Sequence, residues 1–391
     1  MAPWGRGTHS PAPDFVVPDT VGRTVGPNLF HSFGLFNINT GESATFTGPA
    51  AIDNVISRVT GGSRSFIDGP LRSEIESANL WFINPSGVLL GPNASLDIQG
   101  SFHVSTANYL KLREGGRFDA IYPEHSVLTT APPEAFGFLG DQPASIAFQG
   151  SQLTVPQDKT LSVIGGDIGI TDEAQLQAPG GRVNVASVAS AGEVRLEPND
   201  LSVSSFDRLG RIEMNHGSIN TSGEGGGSTF IRGGQFMMDH SGIQSETRGG
   251  KNGGIVSVKA RDLRIRNEAG ISTSTFGSSR AGDVRVEADH MLLDSRSGID
   301  AETVAGGGDA GTVGVKAGEL KMRNRAGIST STGGLGRAGG VRVEAEDLEM
   351  RNEAYILTFR VKAPVARRPP HRSVREQFAH TVPRFYSFVP E

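Results

Sequence analysis

The second half of this chain repeats itself with a period of about 28 residues, and that period limits the architectures open to it. Ile243, Ile271, Ile299, Ile328 and Ile356 recur at one fixed interval, lengthened by a single position only between Ile299 and Ile328. Val256, Val284, Val313 and Val341 form a second column, and Leu263, Met291, Leu320 and Leu348 a third. A unit of constant length that keeps its phase over several copies is stacked rather than folded into a globule, so the sequence predicts a solenoid.

Within each copy, short apolar runs alternate with polar residues at period two, as in Val256-Ser257-Val258, Val284-Arg285-Val286 and Val341-Arg342-Val343. Leu263-Arg264-Ile265 or Leu320-Lys321-Met322 follows, then Gly-Ile-Ser-Thr-Ser-Thr at 270–275 and 327–332. Each run reads as a half-buried strand rich in β-branched residues, bounded by Gly and Asp turns such as Ala281-Gly282-Asp283. No long stretch has helical spacing. Three strands and three corners per turn describe an all-β, right-handed, single-stranded parallel β-helix, its coils stacked at ~4.8 Å.

The polar columns fit this register. Lys259, Glu287, Lys316 and Glu344 share one repeat position and alternate in sign, which avoids like-charge neighbours in a stacked sheet. Asn267, Ser295, Asn324 and Asn352 form a column at a corner, where stacked amides can bond one another and the turning backbone. Asp262, His290, Glu319 and Asp347 form a third, mostly acidic column. All three read most simply as decoration of the solenoid wall.

Composition narrows the function. The chain has 391 residues, 53 of them Gly, no Cys, 7% aromatics and a formal charge of −5. The Gly content suits tight corners repeated every coil. Mild acidity, with no basic patch before the extreme C-terminus, argues against nucleic acid as a partner. Without Cys there are no disulfides or thiolate metal sites. No apolar run approaches the ~18 residues of a transmembrane helix. Residues 1–13 show no basic and apolar pattern of a signal peptide.

Five zones follow from the pattern. Residues 1–27 are a Pro/Gly-rich lead-in with the composition of a disordered segment and a candidate strand at Phe15–Val17. Residues 28–112 have dense strand and turn signals without the long repeat. Residues 113–150 read as an irregular coil or insertion, residues 151–359 as β-helix repeats, and residues 360–391 as a flexible Pro/Arg-rich tail of solvated charge.

The segment 28–37 (NLFHSFGLFN) places aromatics at three-residue spacing between polar ends, with Asn28, Phe30, Phe33, Phe36 and Asn37 as its marked positions. Farther on come IDNVISRVTGG at 52–62, SFIDG at 65–69, ANLWFINPSGV at 78–88 and GPNA at 91–94. Asn84-Pro85-Ser86-Gly87 has favourable turn chemistry, with Asn at i, Pro presetting φ at i+1 and Gly at i+3. This ordered series resembles the secretion domain of the filamentous haemagglutinin family, the exoproteins of two-partner secretion, best over residues 28–112. The resemblance implies a right-handed β-helix, recognised by an outer-membrane transporter with periplasmic receptor domains, and threaded out unfolded to an extracellular or cell-surface location. It maps the family's Asn-Pro-Asn-Gly turn onto Asn84, Pro85, Ser86 and Gly87, with Ser86 departing from the usual Asn. It also implies an adhesive scaffold whose partner is a component of a host or neighbouring cell.

Two other functions compete. Parallel β-helices also carry polysaccharide lyases and hydrolases, which need carboxylates converging on one face, and the column Asp262, Glu319 and Asp347 is the candidate, interrupted by His290. The chain would otherwise be the secretion and stalk portion of a longer toxin. Gly306-Gly307-Gly308-Asp309 lacks the second register of a calcium-binding nonapeptide, and the nine His show no paired ligand spacing. The sequence therefore gives no catalytic residue, no cofactor and no metal ligand.

Overall fold

In a computed structural model, residues 13–360 are described. Part of the expected lead-in and nearly all of the expected tail lie outside them. Parallel strands stack into a β-solenoid of about twelve turns. Equivalent repeat positions lie in adjacent rungs: Ile243 pairs with Ile271, Ile271 with Ile299, Ile299 with Ile328 and Ile328 with Ile356. The first four of these isoleucines are fully buried in one continuous core. Each such side chain contributes about 1.5–3 kcal/mol of burial.

The three apolar runs per coil are separate strands early in the chain, as in Thr160–Gly165, Ile168–Thr171 and Gln175–Gln177. From Ser228 onward the first two runs join into longer strands, such as Ile255–Arg266 and Val313–Met322. The pairing there skips one residue per rung, Arg261 for instance, so the bend between the runs is taken up inside one strand. The third run forms a four-stranded sheet (Asp14–Pro18, Ser43–Thr47, Pro70–Ser73, Ser95–Asp97) and then an eight-stranded one from Gln152 to Arg360.

Twice the chain leaves the solenoid, after Ser105 and after Ser187. Tyr109–Leu112, Arg117–Asp119, Pro133–Phe138, Gly192–Glu197 and Asp200–Ser202 pair antiparallel into a five-stranded sheet. This cladding lies on the outer face of the first-run sheet and closes a second core of Phe30, Ile56, Trp81, Phe118, Phe136 and Phe230 among others. Strands under it are buried on both faces: Asn54–Val59 and Phe102–Ser105 are buried at every position. The bare strand Asp283–Leu293 instead buries alternate residues through most of its length.

The polar columns also fall in register. Lys259 and Glu287 meet at 3.2 Å, while Glu344 turns to Arg342 of its own strand at 2.5 Å. At the corner, Asn352 Nδ2 donates to Asn324 Oδ1 at 2.8 Å. Asn324 Nδ2 donates to Asp294 and Asn267 Nδ2 to Asp239. Asn267, Ser295, Asn324 and Asn352 have φ between 52° and 56°, and the residue after each is also left-handed. Asn tolerates that conformation better than most residues, which explains its use there.

Candidate functional site

The marked residues of segment 28–37 build the solenoid from both of its faces. Asn28 opens the strand Asn28–Phe33 with its side chain completely buried. Its Nδ2 donates to the carbonyls of Thr129 and Ala131 in the cladding, at 3.0 and 2.9 Å. Its Oδ1 accepts from Asn54 at 2.9 Å, and Asn54 Oδ1 in turn accepts from Asn79 and from Trp81 Nε1. One asparagine per rung thus ties three coils together and anchors the cladding loop. Phe30 points outward, tilted against Phe118 at 5.1 Å. Phe33 and Phe36 turn inward, against each other at 5.0 Å and against Phe46. Exposed Asn37 accepts the backbone N–H of Phe66 at 2.8 Å.

Asn84 is also wholly buried. Its Nδ2 donates to Ser63 O and Ser65 Oγ, its Oδ1 accepts from Ser86 N at 2.9 Å, and Gly87 N returns to Asn84 O at 3.0 Å. Asn at the first position therefore closes two hydrogen bonds of the turn while pinning it to the preceding coil. Gly87 has φ 110°, where a Cβ would be strained. At position 86 it is the backbone N–H that the turn uses, so Ser in place of Asn keeps it. Pro85 forms one wall of a groove of about 260 Å³, with Asn108, Ile121, Tyr122 and Leu139 on the others. Ile121, Tyr122 and Leu139 are each more than two-fifths exposed, an apolar cluster beside the turn.

Asp68 and Asn93, from the third and fifth sequence motifs, meet at the next corner. Asp68 accepts from Asn93 N at 2.9 Å, Asn93 Nδ2 at 3.1 Å and the Thr40 hydroxyl. Burial pushes the Asp68 carboxyl up, but the bonds from Thr40 and Asn93 outweigh it and hold the carboxyl below its ordinary value. A Cβ at Gly91 would lie 2.4 Å from Asp68 Oδ1, so Gly91 is required there.

Sequence reasoning missed the side chains that hold the cladding down. Arg58, nine-tenths buried, lies 4.2 Å over the Phe118 ring and donates to Ser32 Oγ, Ser126 Oγ and the Asp119 carbonyl. Arg182 donates to the carbonyls of Glu197, Pro198 and Asp200. Arg232, 3% exposed, donates to Leu201 O, Ser257 O and the Asp200 carboxylate. A charge within an otherwise apolar strand, as in VISRV at 55–59 and FIR at 230–232, was the available signal. His103 is stacked on Trp81 at 3.7 Å and bonded to Ser162 Oγ, and its burial lowers its pKa to about 3.

The acidic column does form one line: Asp262 pairs with His290, His290 with Glu319 and Glu319 with Asp347. Asp262 is paired with Arg261 at 2.9 Å, and Glu319 with Lys321 at 2.5 Å and His290 at 3.6 Å. Among the described residues, no three His, Asp or Glu side chains gather as metal ligands.

A family described as the TPS secretion domain matches residues 13–231, the stretch that carries both excursions of the cladding. Among solved structures, the HMW1 secretion domain from Haemophilus influenzae is similar at 16% identity, over 87% of this chain and 95% of that one, with a TM-score of 0.44. The filamentous hemagglutinin secretion domain is similar at 12% identity, over 84% of this chain and 91% of that one, with a TM-score of 0.36. No curated protein sequence matches. The family match covers more than half of the 391 residues, so the chain belongs to the TPS secretion domain family and is a two-partner secretion exoprotein.

Proposed function

We propose that the clad segment, residues 13–231, is the part recognised by an outer-membrane two-partner transporter, and that the bare coils beyond it form an adhesive scaffold outside the cell. The family match over 13–231, on a solenoid whose rungs continue in register to residue 360, carries this reading. Asn28 and Asn84 are buried, so their contribution is to build the surface. The groove of Pro85, Ile121, Tyr122 and Leu139 is the exposed apolar feature beside the turn motif that a receptor domain could grip.

Export as an unfolded chain suits the bare coils, because each strand pairs with the rung one repeat away and needs no distant partner. The test is binding of the full chain to the periplasmic part of a two-partner transporter, read by biolayer interferometry, with cell-binding of chain-coated beads as a second assay. Tyr122→Ser with Leu139→Ser should weaken transporter binding at least tenfold and leave bead adhesion intact. Unchanged transporter binding would reject the groove, and beads that bind no cell or matrix surface would reject the adhesive role.

A further inference from the structure

The corner column of asparagines continues upstream with different residues. Asp239 pairs with Arg266 and Asn215 with Asp239, which places His240 level with Asn267 and His216 level with His240. Both histidines share the column's left-handed backbone, with φ 53° and 44°. Their rings stack with centroids 4.8 Å apart and planes 11° from parallel. Their separation in sequence is shorter than the repeat of the later coils, a spacing that no motif would flag.

Both rings are oriented in the same way. His216 Nδ1 is 2.6 Å from Asn215 Oδ1, and His240 Nδ1 is 2.7 Å from Asp239 Oδ1. An oxygen acceptor on Nδ1 makes that nitrogen the N–H and leaves the lone pair on Nε2. Asp239 is itself fixed by Arg266 Nε at 2.9 Å and Asn267 Nδ2 at 2.9 Å. A carboxylate behind an imidazole N–H is the outer-shell arrangement that orients metal-binding histidines and raises their basicity. Both side chains are exposed, and no described residue bonds either Nε2.

We propose that His216 and His240 bind one divalent late transition-metal ion, Zn²⁺ or Cu²⁺, through their two Nε2 atoms, with water in the remaining positions. Zn–N bonds of about 2.0–2.1 Å place two nitrogens of a tetrahedral ion ~3.3 Å apart, and because each lone pair lies in its ring plane, the near-parallel rings must each turn through roughly 50° to face one ion. Glu268, which shares a surface groove with His240, is held by Arg296 at 3.0 Å and is not counted as a ligand. The ion would clip the last rungs of the family-matched segment to the first rung beyond residue 231.

The test is titration of the full chain with ZnCl₂ and with CuCl₂ at pH 7.5 by calorimetry, with histidine side-chain ¹⁵N shifts recorded in parallel. His216→Asn and His240→Asn are conservative, because Asn occupies this corner in three other coils. One equivalent bound, with both Nε2 resonances moving and affinity at least tenfold weaker in each variant, supports the site. Undiminished binding in the double variant, or none below millimolar metal, overturns it.

Discussion

The clad and bare parts of this solenoid use the same rung geometry with different chemistry. In the bare coils a strand buries one face, so each run alternates, and the same alternation recurs in every coil. In the clad part the first-run strands bury both faces, and their outer residues are whatever the cladding requires: Phe30, Ile56 and Trp81 on successive rungs, then His103. A repeat survives only where each rung meets the same neighbours. The two parts also differ in reach. Bare strands pair one coil away, whereas Asn28 bonds the distant Thr129 and Ala131, and Ala135 pairs with Arg195. The clad part therefore has the longer-range assembly, which folds more slowly.

The largest expected effect tests whether the cladding is a true second core. Phe136→Ala empties a fully buried site between cladding and solenoid and should cost about 3–5 kcal/mol, as should Phe236→Ala in the inner core. Hydrogen exchange would resolve the two, because solenoids unfold regionally. Exposure from Phe136→Ala should be confined to the clad part. A loss below about 1 kcal/mol, well short of a filled core site, would make the cladding a loose attachment.

Arg232 and Lys259 occupy one register position on adjacent rungs, one clad and one bare. Arg232→Ala strips a buried cation from the Asp200 carboxylate and the Leu201, Ile231 and Ser257 carbonyls, at about 2–4 kcal/mol. Residues 189–209 should then gain proteolytic sensitivity. Lys259→Ala removes an ion pair with Glu287 that is half exposed on both sides, and should change stability by less than about 1 kcal/mol. Equal effects would erase the distinction.

Acid should separate the two parts as well. His31 is buried with neither ring nitrogen bonded, and burial holds its pKa at about 4 despite the nearby Asp19 charge. A depressed pKa gives stability that is present above the unfolded value of about 6.5 and is lost as pH falls toward 4. His31→Leu should leave melting at pH 7.5 nearly unchanged and raise the clad part's stability at pH 4.5 by about 2 kcal/mol. A parallel pH profile for variant and parent would refute this.

What could be read from sequence follows the same division. The isoleucine, valine and leucine columns gave the register of the bare coils, because a constant period needs no knowledge of distant partners. The strands of residues 28–112 were legible from alternation and turn residues, and the Asn84–Gly87 turn from its residue types. The antiparallel sheet was not, since Tyr109–Leu112, Pro133–Phe138 and Gly192–Glu197 come from two separate excursions whose pairing leaves no local trace. The His216–His240 stack was hidden for a related reason: early coils vary in length, so residues sharing a corner do not share a fixed spacing.

A modest effect lies within the bare part and concerns one departure from its own repeat. Asp300 stands where the adjacent rungs carry Ser272 and Ser329. Burial raises its pKa to about 6, only partly offset by the Ser272 hydroxyl, which donates at 2.7 Å, and reinforced by Glu302. A carboxyl with a raised folded-state pKa is stabilising while protonated, and that contribution is lost as pH climbs through 6. The side chain keeps some solvent contact, so screening reduces the penalty to about 1 kcal/mol at pH 8. Asp300→Ser restores the residue of both neighbours and should raise the melting temperature at pH 8 by a few degrees, with little change at pH 4. If instead the gain were the same at both pH values, the benefit would come from backbone or packing, and the ionised carboxylate would not be the weak point of this rung.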